Sequence, residues 1–175
     1  MQMVHEFNIP IEEYAKRGKD NEFPVINSCP ICKAVTVLRK NGFYKRYAIL
    51  SKRDLRIHVR RLKCSCCRKT LSVLPSFLLP HYQHPVTLIL ECLKGYFLLG
   101  KLKSYYQKIQ FYRRRFLKNI KLIEAFFRDQ GYREVIPQRV KEKAIKLLKM
   151  IETLASPQTF TQRFFNHFQR SFMAT

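Results

Sequence analysis

The stretch KCSCCRKT, Lys63–Thr70, packs Cys64, Cys66 and Cys67 into four positions. Upstream, CPIC supplies Cys29 and Cys32, and 31 residues separate the two groups. A C-x2-C turn lets both thiolates face one ion while backbone N–H groups of the turn point at the sulfurs. Two such knuckles supply four soft ligands, the tetrahedral S4 set that Zn2+ takes in structural sites. Cys29, Cys32, Cys64 and Cys67 are therefore the expected ligands of one structural Zn2+. Cys66, in the middle of its knuckle, reads as a bystander, with Cys64 and Cys66 left open as the other pairing. A redox C-x-x-C would call for a thioredoxin-like βαβ context, which is absent here. Cys92 falls in an apolar helical run and reads as core.

Between the knuckles the pattern is β. Ala34–Arg39 is rich in Val and Thr, Lys40-Asn41-Gly42 is a turn signal, and Phe43–Leu50 is aromatic and aliphatic. Asp54–Leu62 alternates, with Leu55, Ile57 and Val59 on one face and Arg56, His58 and Arg60 on the other. Thr70–Leu74 follows the second knuckle. So few strand residues cannot build a self-sufficient core, so the metal is expected to be a folding requirement. His58 reads as a surface histidine, because four cysteines already satisfy the ion.

Beyond Pro80 the pattern becomes helical. Pro85 suits the first turn of an apolar helix ending at Gly95. A short helix over Phe97–Lys103 is expected next, and then a long one capped by Ser104 and ended by Gly131. Ile109, Tyr112, Phe116, Ile120, Ile123 and Phe127 form one apolar stripe of that long helix. After Pro137 an amphipathic helix carries Val140, Ala144, Leu147, Leu148, Ile151 and Leu154. Ser156-Pro157 starts a last one, rich in Phe (160, 164, 165, 168 and 172). Those rings are expected to pack on the helical core, a dimer surface being the alternative.

Charge points to the partner. The 175 residues carry 34 Lys+Arg against 12 Asp+Glu, a net +22. Thirteen basic residues and one acid, Asp54, lie between Lys33 and Lys69, and nine basic residues and no acid between Cys92 and Ile123. Solvated helix faces normally mix charge, because opposite signs at i,i+4 are favourable. A uniformly positive face calls for a polyanion, and nucleic acid is the usual one. The N-terminus shows no secretory signal, and the most apolar run, Thr87–Gly100, is too short to span a bilayer and contains Glu91 and Lys94. The reading is cytoplasmic, nucleoid-associated, with no membrane.

CPIC, RLKCSCCRKT, LSVLPSFLLP, YRRRFLKNI and FFNHFQRSF together resemble a family of short bacterial proteins of unknown function with a zinc-ribbon-like N-terminal half. That family is similar in layout to the zinc-binding and helix-turn-helix front ends of insertion-sequence transposases. The resemblance runs from about Cys29 to Phe172 and implies Cys29, Cys32, Cys64 and Cys67 as ligands. Cys66 departs from the usual non-cysteine in its knuckle. No activity is assigned to that family.

The expected fold is α+β: an N-terminal arm over 1–24, a β zinc ribbon over 25–80, a helix-turn-helix-like unit over 81–131 and a C-terminal helical pair over 132–175. The expected function is non-catalytic binding of duplex DNA, by a transposase-related or regulatory factor. The helix at about 105–128 would read the major groove. Gln107, Lys108, Gln110, Arg113, Arg114 and Lys118 on that helix, with Lys45, Arg46, Arg56 and Arg60 on the ribbon, are the candidate contacts. An RNA-binding zinc ribbon is one alternative, its aromatics at Phe43, Tyr44 and Tyr47 stacking on unpaired bases. A transposase or nuclease component whose catalysis is supplied elsewhere is another. Two-metal strand transfer needs converging carboxylates, and only Asp54 and Glu91 lie between Glu22 and Glu124.

Overall fold

Alternating strands around a cysteine-rich segment, followed by helices, become two compact units, Met1–His84 and Pro85–Thr175. The structure is a computed structural model and describes residues 1–100, 106–154 and 156–175.

The first unit is built on a four-stranded sheet, order β1-β4-β3-β2, of β1 (Gln2–His5), β2 (Arg39–Ile49), β3 (Asp54–Lys63) and β4 (Thr70–Pro75). β2 and β3 form an antiparallel hairpin, closed where Leu50 N–H donates to the Arg53 carbonyl at 3.0 Å. The period-2 reading of β3 holds: Ile57 and Val59 are fully buried, while Arg56 is exposed and His58 half-buried. Both faces of the sheet are covered. Leu62, Leu71 and Val73 pack with Cys29, Leu38 and Cys64 on one side. Ile57, Val59 and Leu74 pack with Tyr14, Ala48, Phe77 and Leu78 on the other.

Two expectations are corrected in this unit. Lys40-Asn41-Gly42 is not a turn between strands. It lies within β2 as a bulge, where the register shifts between Lys40 and Phe43 and Gly42 takes φ 76°. Asn-Gly supplies the positive φ that a hairpin or a bulge can use equally. The tertiary partner decides between them, and β2 pairs forward onto β3. Of the expected strand Ala34–Arg39, only Arg39 belongs to β2, and the rest contributes one bridge, Ser28 to Val35.

The residues set apart as an arm, 1–24, are also part of the sheet unit. β1 pairs in parallel with β4. The short helix α1 (Ile11–Arg17) follows, with Glu12 and Glu13 in its first turn and Lys16 and Arg17 in its last. Gly18 ends it at φ 59°, close enough to His58 that a Cβ would stand 3.3 Å from Nδ1. Tyr14 is wholly buried and its hydroxyl donates to the His58 carbonyl at 2.8 Å, tying α1 to β3.

The second unit holds α2 (Val86–Leu99), α3 (Tyr106–Lys118), α4 (Ile120–Asp129), α5 (Val140–Thr153) and α6 (Pro157–Phe168). α2 starts directly after Pro85 but does not stop at Gly95. It runs on to Gly100, which ends it at φ 60°. Burial of Phe97 holds the extra turn, against the roughly 1 kcal/mol that an interior glycine costs. The rest of the expected short helix, 101–103, and its neighbour Ser104 lie outside the described residues.

The expected long helix is two. Asn119 interrupts it at φ −99°, ψ 7° and opens α4. Its buried side chain donates to the Arg115 carbonyl at 2.8 Å and the Ala174 carbonyl at 2.9 Å, and accepts from Arg170 at 3.4 Å. An asparagine bonded back to the i−4 carbonyl competes with the helix ladder, which is why the break falls there. The apolar stripe survives it, with Ile109, Tyr112, Phe116, Ile123 and Phe127 all buried. Val140, expected on the apolar side of α5, is instead 58% exposed.

α6 starts as its sequence requires: Ser156 caps it by accepting the Thr159 N–H at 3.0 Å, with Pro157 in the first turn. Phe160, Phe164 and Phe172 are fully buried, interlocked with Phe126 and Phe127 of α4. These rings pack inside the unit's own core, as expected, while Phe168 is half-buried.

Candidate metal centre

The two cysteine knuckles are built alike. Cys29 N–H donates to the Ala34 carbonyl at 3.0 Å, and Cys64 N–H to the Lys69 carbonyl at 3.1 Å, the same five-residue span in each. The fourth residue after each of these cysteines, Lys33 or Arg68, takes positive φ, at 61° and 58°. This left-handed residue lets each loop fold back after its second cysteine. Glycine would adopt it freely, whereas an L side chain costs about 1–2 kcal/mol. The second knuckle is the β3–β4 connection, so strand pairing presents it. The first is held by the Ser28–Val35 bridge and by Leu38 N–H donating to the Ile26 carbonyl at 3.0 Å.

The four sulfurs of Cys29, Cys32, Cys64 and Cys67 all lie within 4.8 Å of one another. Cys29 Sγ is 3.8 Å from Cys67 Sγ, and Cys32 Sγ is 3.8 Å from Cys64 Sγ. Four sulfurs each about 2.3 Å from a central ion would stand about 3.8 Å apart at tetrahedral edges. A disulfide would need about 2.05 Å, and all six cysteines are free thiols. The geometry therefore fits a metal-holding set, with Cys29 and Cys64 buried and Cys32 facing solvent. Cys66 is exposed and is not in the cluster, so the structure selects Cys64 with Cys67 as the second pair.

Local electrostatics prepare thiolates unevenly. The Cys32 N–H, with that of Ile31, hydrogen-bonds Cys29 against the effect of burial and holds it down at about 6. The Ala34 N–H lowers Cys32. Cys67 receives the Lys69 N–H, but burial and the neighbouring thiols outweigh it and push it up to about 11. Four sulfurs at this spacing cannot all ionise without a cation between them, because each thiolate disfavours the next. A metal ion held by these four cysteines would supply that cation and draw off the remaining protons.

The basic candidates fall into two groups. On the sheet unit, Lys45 and Arg56 are exposed, and Arg56 stacks on the exposed Tyr47 ring at 5.2 Å while donating to its hydroxyl. Arg46 and Arg60 are otherwise engaged. Arg46 donates to the Leu79 and Tyr82 carbonyls, and burial lowers its pKa. Arg60 is sandwiched between the Phe23 and Phe43 rings at 4.5 and 4.8 Å. Both arginines serve the fold, a role their alternation with apolar neighbours did not announce.

On the helical unit, Gln107, Phe111, Arg114 and Lys118 form one exposed stripe of α3 at i, i+4, i+7 and i+11. Lys108 is half-buried. Arg113 bonds Gln110 at 3.2 Å and lies over Tyr96 of α2 at 5.5 Å, which turns both away from that stripe. Arg115 covers Phe111 at 5.2 Å. Of the expected α3 contacts, Gln107, Arg114 and Lys118 remain outward. Among the described residues, no helix is long and apolar enough to cross a membrane.

Residues 29–112 match the model of a domain of unknown function, DUF6431. The matched segment opens on the first cysteine of the cluster and closes inside α3, so it contains both knuckles. No curated protein and no solved structure matches the chain.

Proposed function

We propose that the chain is a zinc protein that binds duplex DNA without acting on it chemically. The carrying observation is the cationic surface around the cysteine centre. Of the thirteen basic residues between Lys33 and Lys69, Arg53 alone is ion-paired with a carboxylate, Glu12, among the described residues. A protein serving only itself would neutralise such a run, since like charges on a small sheet repel. Zinc is the metal of choice for the S4 set, because it is content with four soft ligands and tetrahedral geometry.

The outward stripe of α3 supports a helix-turn-helix reading, with α2 as the bracing helix and α3 as the one entering the major groove. Gln107 would then approach a base edge, while Arg114 and Lys118 would meet phosphate. The layout of knuckles before helices supports a role like that of the DNA-binding front ends of transposases, working in the cytoplasm on the nucleoid. A non-catalytic role is supported by the state of the acids: Glu12, Glu13, Glu124, Asp129, Glu134, Glu142 and Glu152 each bind a basic side chain. RNA binding is the second reading, supported by the stacked pair of Tyr47, 42% exposed, and Arg56.

The test is fluorescence anisotropy with duplex DNA across a salt series, with single-stranded RNA as competitor. Duplex affinity should fall steeply, log Kd against log salt having a slope of about 0.9 per phosphate contacted. Arg114→Ala with Lys118→Ala should weaken binding. A flat salt dependence, or displacement by RNA at equal concentration, would reject the duplex reading. Cutting or joining of the duplex on adding Mg2+ would reject the non-catalytic one.

A further inference from the structure

Beside the cysteine centre lies a concave pocket of about 460 Å³, lined by Arg39, Lys40, Asn41, Lys63, Ser65 and Arg68, with Cys64 at its wall. Four of these residues are cations and none is an acid. No ion pair engages any of the four among the described residues. We propose that this pocket is a phosphate-binding site that seats a backbone phosphodiester of the bound nucleic acid, a proposal that rests on the DNA reading above for the source of the phosphate.

Three features of the chain converge to build it, each unfavourable for the protein alone. Arg39 and Lys63 are directly opposite in the β2–β3 register, and like charges directly opposite on neighbouring strands are destabilising. The β2 bulge between Lys40 and Phe43, with Gly42 at φ 76°, interrupts the ladder at the pocket's edge and places Asn41 there with Lys40. Arg68 occupies the left-handed position of its knuckle at φ 58°, where glycine would be unstrained. An anion between the cations turns their repulsion into attraction. Asn41 and the Ser65 hydroxyl add neutral hydrogen-bond donors. The volume falls in the range of small-ligand pockets and exceeds what one phosphate needs, which suits a phosphodiester with its flanking sugar.

The rival explanation is that these cations only balance the negative charge of a metal–S4 centre. It predicts that removing them lowers metal retention, with any loss of phosphate binding following the loss of the metal.

The experiment uses the full zinc-loaded chain with two probes, inorganic pyrophosphate by calorimetry and a duplex oligonucleotide by anisotropy over a salt series. Two variants bear on the pocket: Arg39→Ala with Lys63→Ala, and Arg68→Gly. The second relieves backbone strain, so it removes a cation without endangering the fold. Lys16→Ala with Lys19→Ala removes as much charge from exposed positions that neither line the pocket nor belong to the basic run around the cysteines.

The double pocket variant should keep its zinc, bind pyrophosphate at least about tenfold more weakly, and lose about 0.9–1.8 from the salt slope with DNA. Arg68→Gly should weaken pyrophosphate binding while matching or exceeding the parent in thermal stability. The charge control should match the parent. Unchanged pyrophosphate binding and salt slope in both pocket variants would overturn the site and leave DNA binding standing. Equal losses in the control, or zinc loss in step with phosphate loss, would overturn it in favour of bulk charge or of thiolate balancing. A parent that binds pyrophosphate through Arg39, Lys63 and Arg68 but no duplex would keep the phosphate site and reject DNA as its source. A parent that binds neither would reject both.

Discussion

Cys66 and Cys67 are neighbours in sequence with opposite assignments, and that difference can be measured. Cys67 Sγ stands 3.8 Å from Cys29 Sγ, whereas Cys66 is exposed and raised in pKa, chiefly by the charge on Cys32. In the metal-bound protein, alkylation followed by mass spectrometry should label Cys66 first and spare the four ligands. Cys66→Ser should keep one zinc per chain and Cys67→Ser should lose it. Retention of zinc by Cys67→Ser would reassign the second pair. Tyr14 carries a second prediction at this scale. Burial raises its phenol well above the ordinary value, so the folded form stays neutral where the unfolded one ionises, from about pH 10. Its contribution is thus complete below about pH 10 and is lost as pH rises further. Tyr14→Phe should cost about 1 kcal/mol at neutral pH, through the bond to the His58 carbonyl, and the gap should narrow above pH 10. Denaturant titrations of both proteins at pH 7 and 10.5 would show it; a gap independent of pH would mean that the buried phenol does not carry the linkage.

A helix here can end where a polar group competes with the ladder, and not only where the apolar pattern changes. Asn119 is the clearest case: the stripe of Ile109, Tyr112, Phe116, Ile123 and Phe127 crosses it unbroken, yet α3 and α4 are separate. Its side chain serves the Arg115 and Ala174 carbonyls and Arg170, so it anchors the last residues of the chain as well as breaking the helix. Asn119→Ala should destabilise the helical unit by about 1–3 kcal/mol, the penalty for unsatisfied buried partners, and should loosen residues 170–174 in hydrogen exchange. Fast exchange in the parent would show that the anchor does not hold. Gly95 and Gly42 make the same point in reverse. Each carries a breaker signal, yet one lies inside α2 and the other inside β2, because burial of Phe97 and pairing with β3 outweigh local preference.

At the scale of the molecule, the two units draw on different forces. The cysteine side of the sheet has a small apolar cluster that includes Cys29 and Cys64 themselves, whereas the helical unit closes on five interlocked phenylalanines, Phe126, Phe127, Phe160, Phe164 and Phe172. Chelation should therefore lower the thermal stability of Met1–His84 steeply and leave the helical signal of Pro85–Thr175 in place. An apoprotein melting as the parent does would remove the metal from the fold. The clustering of Cys29, Cys32, Cys64 and Cys67 was legible in the sequence because C-x2-C spacing is a local property: a tight turn fixes where two sulfurs point. The alternation of β3, the apolar stripe of α3 and α4, and the Ser156-Pro157 start of α6 were legible for the same reason, since burial periodicity and capping act within a few residues. Even α1 carried its signals, acids first, bases last and glycine after. Tertiary structure alone decided the rest. The parallel pairing of β1 with β4 joins residues about seventy apart, a contact that no local pattern encodes. The engagement of Arg46 with distant carbonyls and of Arg60 with two rings left both half-buried. The meeting of Arg39, Lys40, Lys63 and Arg68 around one pocket depends on strand register, which is set by the partner strand and not by the charges it brings together.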